Sequence, residues 1–191
     1  MNSLNINLLL QSFIGFDIIC NMIETHPFGI FVPPRAKYLI LGSFTGKGVG
    51  INSYDWFYGT KRNQFWPIIE SVYNMKLPVK KNKQNLFTHL GIAITDIIYQ
   101  CERKKASNLD NNLTNIVYNT KGINNIFKKN KIEKIFFSSR FVETRFKMIF
   151  EKLINKNNNI QLITLPSPSP RYAAMSIDEK IKRYQSILPK Y

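Results

Sequence analysis

The sequence predicts an α/β protein whose mostly parallel sheet is covered by helices on both faces. Short apolar runs alternate with longer segments of helical periodicity, which is the pattern of parallel strands joined by crossover helices. These runs are almost wholly apolar, as expected for strands that are buried on both faces. The chain has 191 residues, of which 44% are hydrophobic, enough for one globular domain with a real core.

Four apolar runs are predicted as the strands of a four-stranded sheet. They are residues 37–41, 91–95, 134–137 and 160–165. The first run ends at a glycine-rich loop, 42–59, the second is followed by Asp96, and the fourth runs into Pro166, Pro168 and Pro170. Ligands of open α/β sheets bind outside the carboxyl ends of the strands. We therefore expect a site where these two loops and Asp96 converge.

Four segments have the spacing of amphipathic helices. The first begins near Asn63, with Pro67 tolerated in its first turn. The others are 120–131, 140–154 and 178–188. We interpret residues 1–25 as an N-terminal extension and residues 26–191 as the folded domain.

The net charge of +15 is unevenly distributed. Residues 1–75 contain five basic and four acidic side chains, so residues 76–191 carry a net +14. A field of that sign attracts polyanions, and nucleic acid is the most common polyanion in a cytoplasm. Codon usage that favours Lys, Asn and Ile is an alternative explanation of the same excess.

Composition also disfavours several protein classes. No apolar run is long enough to cross a bilayer, because Asp17, Asn21 and Glu24 interrupt the one near the N-terminus. No Lys or Arg precedes Arg35, so a secretory signal is not expected. The two cysteines make no disulfide framework, and we expect a monomeric protein of the reducing cytoplasm.

The motifs of cofactor and metal chemistry are missing. Gly46-Lys47-Gly48 lacks the final Ser or Thr of a phosphate loop, and the glycines do not fit the dinucleotide pattern. The two histidines, His26 and His89, have no Cys or carboxylate at metal-ligand spacing, and we interpret both as structural. We expect no cofactor and no metal, which leaves polar chemistry by Asn, Asp and Ser.

Five segments of the chain together resemble the uracil-DNA glycosylase superfamily. They are HPF (26–28), KYLILGSF (37–44), FYGTKRNQFWPI (57–68), LGIAITDII (90–98) and LPSPSPRYAAMS (165–176). The resemblance is closest to the hypoxanthine (deoxyinosine) DNA glycosylase branch, near the mismatch-specific uracil and thymine glycosylases. It implies a three-layer α/β/α sandwich that flips an altered base out of double-stranded DNA and hydrolyses its N-glycosidic bond without a metal.

The resemblance also suggests catalytic residues. Relatives with a Gly-x-Asn-Pro or Gly-x-Asp-Pro motif use its Asn or Asp to orient the attacking water, whereas this chain has Gly42-Ser43-Phe44-Thr45. The resemblance moves that role to Asn63 of the RNQFW motif, although Asn63 also suits a helix cap. Asp55 is the alternative water-orienting carboxylate or a solvated loop acid. Asp110 partly matches a family Ser-Ser-Asp block.

Base and DNA contacts follow from the same motifs. We expect a base pocket formed by Gly42, Ser43, Phe44, Tyr58 and Phe65. Aromatic stacking on a base contributes about 1–3 kcal/mol, although each of these rings also suits the core. We expect DNA contacts from Lys47, Lys61, Arg62, Ser167, Ser169, Arg171 and Tyr172. Asp96 is interpreted as a structural cap.

The sequence leaves two classes of substrate open. The resemblance to the hypoxanthine DNA glycosylase branch favours a deaminated base such as hypoxanthine or uracil. The long, glycine-rich 42–59 loop favours a wider pocket for a bulky modified cytosine of phage DNA, which would make the enzyme part of anti-phage defence. The absent Asn or Asp of the first motif keeps an inactive DNA-binding module on the same fold as an alternative.

Overall fold

The computed structural model describes residues 23–46, 54, 56–104 and 109–191. Its strands are β1 (Ile23–Thr25), β2 (Tyr38–Gly42), β3 (Ile92–Asp96), β4 (Ile98–Arg103), β5 (Leu113–Tyr118), β6 (Lys134–Phe137) and β7 (Gln161–Thr164). Its α-helices are α1 (Phe65–Tyr73), α2 (Lys80–Leu90), α3 (Thr120–Lys129), α4 (Arg140–Ile149), α5 (Glu151–Lys156) and α6 (Ile177–Ile187). A 3₁₀ turn, Asp110–Asn112, precedes β5.

The central sheet has the strand order β3-β2-β6-β7, and all three pairings are parallel. Each predicted strand is present within one or two residues of its expected bounds. The register pairs Gly42 with Asp96, Leu41 with Phe137, and Phe137 with Thr164. The carboxyl ends of all four strands therefore lie at one edge of the sheet.

Helices cover both faces of this sheet, which confirms the three-layer α/β/α sandwich. Successive side chains of a strand point to opposite faces, so Ile40 faces one layer while Leu39 and Leu41 face the other. One layer is built from α1, α2 and α6, whose apolar faces pack around Ile40. The other layer is built from α3, α4 and α5, which pack around Leu39 and Leu41. None of the helices in the described ranges is long and apolar enough to cross a membrane.

A second, antiparallel sheet of order β1-β4-β5 was not predicted. Its strands mix polar and apolar residues and contain register shifts, so they lack the contiguous apolar signal of the central strands. Strand β1 lies in the segment that we assigned to the N-terminal extension, yet it pairs with β4. Thr25 is opposite Gln100, and His26 continues from this strand towards the central sheet.

The helices differ from expectation in two places. Helix α2 was missed because its sequence, KKNKQNLFTHL, is polar overall and buries only a narrow stripe of side chains. The predicted helix 140–154 is divided at Phe150, whose φ of −109° and ψ of 25° depart from helical geometry. Neither difference alters the edge of the sheet where the strands end.

Candidate functional site

A cleft opens at the carboxyl edge of the central sheet, where the sequence predicted a site. It brings together ten of the predicted site residues. They are Ser43, Phe44, Tyr58, Arg62, Asn63, Asp110, Ser167, Ser169, Arg171 and Tyr172. Lys61 lies between two cleft residues and is exposed. Lys47 and Asp55 lie outside the described residues.

The floor of the cleft depends on the absence of a side chain at Gly42. Gly42 ends β2 beside Asp96, and a Cβ atom there would overlap both the Asp96 carboxylate and the Tyr58 hydroxyl. Inserting a methyl group into such a contact forces neighbouring groups apart. Glycine at position 42 therefore lets both polar groups lie against the backbone at the end of β2.

Tyr58 is held in place by stacking. Its ring lies 4.2 Å from the ring of Phe65, centroid to centroid, at an interplanar angle of 25°. We expected Phe65 in the base pocket, but it is fully buried in the core beneath Tyr58 and does not line the cleft. The Tyr58 hydroxyl is buried and makes no hydrogen bond of good geometry within the described part of the chain. Burial, followed by the nearby charge of Asp96, raises the pKa of Tyr58 well above its usual value, and the neighbouring Ser138 side chain opposes that rise.

Asp96 is paired with a histidine at the back of the cleft. His26 Nε2 lies 2.8 Å from Asp96 Oδ2, and both side chains are almost completely buried. The backbone N–H of Phe28 points at His26 Nδ1, at 3.4 Å, which makes Nδ1 the acceptor and assigns the ring hydrogen to Nε2. The imidazole also stacks on Phe57, at 5.4 Å and 29°, which holds its plane.

Sequence reasoning placed Asp96 at this edge of the sheet but did not predict its partner, His26. Asp96, whose side chain we interpreted as a structural cap, lines the cleft. Its position directly after a buried strand is the signal that placed it there. The partner was not predictable, because the two residues are 70 positions apart and β1 was not recognised.

A second carboxyl group, that of Asp110, lines the same cleft. Ser43 Oγ donates to Asp110 Oδ1 at 2.6 Å, joining the end of the first motif to the 3₁₀ turn. Burial raises the pKa of Asp110 above its ordinary value, the Ser43 hydrogen bond opposes that rise, and the charge of Asp96 adds to it. The cleft thus contains two carboxyl groups in different environments, which is an arrangement suited to dividing acid and base roles.

Asn63 lies just before α1 and lines the cleft. Its Oδ1 accepts the backbone N–H of Phe65, the first residue of α1, at 2.9 Å. The N-cap residue of α1 is Gln64, so this bond is an Asx turn before the helix and not the N-cap bond that we considered. The amide nitrogen of Asn63 has no partner among the described residues. The Asx turn holds the side chain and leaves that nitrogen available to a ligand.

The serine–proline loop, residues 165–171, also forms part of the rim of the cleft. Its two serines brace the loop itself, since Ser167 Oγ accepts the N–H of Ser169 and Ser169 Oγ accepts the N–H of Arg171, each at 3.3 Å. The carbonyl of Pro168 accepts the N–H of Gln64 at 2.9 Å. This bond joins the loop to the residue that follows Asn63.

The arginine side chains around the cleft differ in whether they are exposed or held by hydrogen bonds to other residues. Arg62 and Arg171 are exposed on the rim. Arg103 donates instead to both carboxylate oxygens of Glu24, at 2.8 and 3.0 Å, and to the carbonyl of Thr45. Within the described ranges, no three His, Cys, Asp or Glu side chains are placed to hold a metal ion.

Comparisons with known proteins agree with this architecture. A scan against protein-family models and a search of curated proteins give no match. Among solved structures, the chain is similar to a solution NMR structure from Methanosarcina acetivorans described as a "putative Uracil DNA glycosylase". The two share 19% sequence identity and a TM-score of 0.66, and the match covers 87% of this chain and 96% of the other. The chain therefore has the α/β/α fold of that protein over nearly its whole length.

Proposed function

We propose that this protein is a DNA glycosylase that hydrolyses the bond between an altered base and its deoxyribose. The observation that carries the proposal is the convergence, at one edge of the sheet, of Asn63, two carboxyl groups and a serine–proline loop. The fold shared with the solved structure supports it. The resemblance of the sequence motifs supports the narrower assignment to the branch that removes hypoxanthine.

The proposed reaction uses water as the nucleophile. The water oxygen attacks C1′ as the bond from C1′ to the base nitrogen breaks, and the electron pair of that bond leaves with the base. A positively charged, oxocarbenium-like sugar forms on the way, which nearby carboxylates stabilise. Asn63 helps to orient the water, and a carboxylate orients it as well and receives its proton. Asp96 and Asp110 are the two carboxyl groups that line the described cleft, and Asp55 remains a candidate from outside the described residues.

The base enters the cleft after it is flipped out of the duplex. Flipping costs a few kcal/mol of stacking and pairing, which contacts inside the pocket offset. Phe44 and Tyr58 offer aromatic surfaces for the base, and Ser43 lies beside them. Ser167, Ser169, Arg171 and Tyr172 hold the DNA backbone, together with Lys61 and Arg62. We propose that a monomer acts on double-stranded DNA in the cytoplasm.

The direct test is base release. Duplexes with a single uracil, hypoxanthine, xanthine or bulky modified cytosine are incubated with the protein and then treated with alkali, which cleaves abasic sites. We expect strand cleavage at the altered base on at least one of these duplexes. No cleavage on any of them contradicts the proposal. Preference for modified phage DNA over deaminated bases would assign the enzyme to defence, and the reverse preference would assign it to repair.

The alternative is a DNA-binding module without activity. It is favoured by the first motif, in which Phe44 stands at the position of the water-orienting Asn or Asp of the enzymes that the sequence resembles. Both functions predict binding that weakens as salt rises, so binding does not discriminate between them. Base release by the wild-type protein excludes the inactive module.

A further inference from the structure

Lys180 is a buried cation directly behind the serine–proline loop. It belongs to α6 and is 1% exposed, which is unusual for lysine because burial removes the hydration of its charge. Its Nζ donates to Gln64 Oε1 at 2.8 Å and to the carbonyl of Ser169 at 3.4 Å. The same Nζ lies 5.3 Å from the centre of the Tyr172 ring.

These contacts join two segments that the proposed reaction needs at a fixed spacing. Gln64 follows Asn63 in the chain, whereas Ser169 and Tyr172 belong to the proposed DNA-binding rim. One helical turn further along α6, Tyr184 donates its hydroxyl to the carbonyl of Pro166 at 2.9 Å. Helix α6 thus holds the serine–proline loop at Pro166 and at Ser169, and Lys180 also reaches Gln64, the residue directly before α1.

The charge of Lys180 is not balanced by a neighbouring acid. No ion pair within the described residues includes Lys180. The preceding residue, Glu179, is engaged in the capping box with Ser176. Gln64 and Ser169 provide only neutral oxygen atoms. A buried cation with neutral partners alone is costly, and an anion bound at the loop would offset that cost.

We propose that Lys180 is a positioning residue that fixes the serine–proline loop relative to Asn63 and places a positive charge beneath the surface where a DNA phosphate binds. The inference rests on the proposed function for its effect on base release. Its effect on DNA binding is independent of catalysis. A phosphodiester is the expected anion because the loop presents serines and Arg171 above this charge.

Three variants test the charge and the hydrogen bonds of Lys180. Lys180→Met removes the charge and the donor at nearly constant length, and Lys180→Arg retains both. Gln64→Glu keeps Lys180 but supplies the missing negative partner. Lys182→Met is the matched control, because Lys182 is an exposed lysine of the same helix. Binding is measured with a short duplex that contains a tetrahydrofuran abasic-site analogue, over a series of salt concentrations, and thermal unfolding is measured for every variant.

We expect Lys180→Met to weaken binding about tenfold at low salt. The slope of log affinity against log salt should become shallower by about 0.9, the value for one lost phosphate contact. Gln64→Glu should also make the slope shallower while raising the melting temperature, and Lys180→Arg should restore the wild-type slope. At saturating substrate, Lys180→Met should lower kcat, whereas Lys182→Met should not.

Equal binding slopes and equal kcat for Lys180→Met and Lys182→Met would overturn the inference. If Lys180→Met does not fold, an unchanged slope in Gln64→Glu overturns it instead. A wild-type protein that binds DNA but releases no base contradicts the glycosylase proposal alone, since the slopes of the variants still test Lys180. Base release that is insensitive to Lys180 contradicts the positioning role alone.

Discussion

His26 donates a hydrogen bond of 2.8 Å from Nε2 to Oδ2 of Asp96. This bond occupies one carboxylate oxygen and leaves the other, Oδ1, beside Gly42 and the Tyr58 hydroxyl at the floor of the cleft. The histidine thus orients the carboxylate from behind. Because both side chains are nearly buried, neither has water as a ready substitute partner.

Replacing His26 should therefore reduce both stability and activity. His26→Phe keeps the aromatic packing on Phe57 but leaves Asp96 Oδ2 without its donor. We expect a loss of about 1–3 kcal/mol in the free energy of unfolding, the cost of an unsatisfied buried polar group. Base release should also slow, because Asp96 is no longer held. Urea unfolding and single-turnover kinetics measure the two effects.

His89 provides the control for that substitution. It is exposed at the end of α2 and its ring lies against Tyr191, away from the cleft. His89→Gln should change the free energy of unfolding by less than about 0.5 kcal/mol. Equal losses at the two histidines would show that the bond to Asp96 has no special role.

The Asn63 side chain should make separate structural and catalytic contributions. Asn63→Ala removes the acceptor for the Phe65 N–H and should cost about 1 kcal/mol of stability. It should also lower kcat by at least about a hundredfold, as for removal of one positioned polar group in an active site. Asn63→Asp retains an acceptor for that N–H and should keep the stability, so its kcat reports the amide nitrogen by itself. A full rate in Asn63→Ala would assign Asn63 to its contact with Phe65 alone.

Tyr58 should show opposite effects on stability and function. Its hydroxyl is buried without a partner in the described part of the structure, so Tyr58→Phe removes an unsatisfied polar group while the ring still stacks on Phe65. We expect an unchanged or raised melting temperature, since removing an unpaired buried hydroxyl is neutral or stabilising. Base release should weaken if the hydroxyl binds the flipped base. A marked fall in melting temperature would indicate that the hydroxyl is already paired in the free protein.

Asp110 should make stability depend on pH. Its pKa is raised in the folded protein, chiefly by burial, so the folded state binds this proton more tightly than the unfolded chain does. The stability that Asp110 contributes is therefore complete below its ordinary pKa of 3.8 and is lost as pH rises through the folded-state value. Compared with wild type, Asp110→Asn should gain stability over that window and keep the gain at neutral pH. A difference that is constant with pH would contradict the raised pKa.

The central sheet and its edge were predictable from the sequence for a specific reason. Strands such as β2 and β6 are contiguous apolar runs, because a parallel strand is buried on both faces. Their loops carry the glycines, prolines and polar residues that mark a ligand site. Strands β4 and β5 were missed because they are partly exposed, and their mixed sequence resembles that of a loop.

Local pattern by itself determined that four parallel strands end at one edge, that a helix begins there shortly after Asn63, and that a serine–proline loop follows the last strand. Only the tertiary structure decided which side chains meet at that edge. The pairs His26–Asp96 and Gln64–Lys180 are separated by 70 and 116 residues along the chain. Such contacts depend on strand order and on how helices pack across the sheet, which are properties of the assembled layers and leave no periodic signal in the sequence.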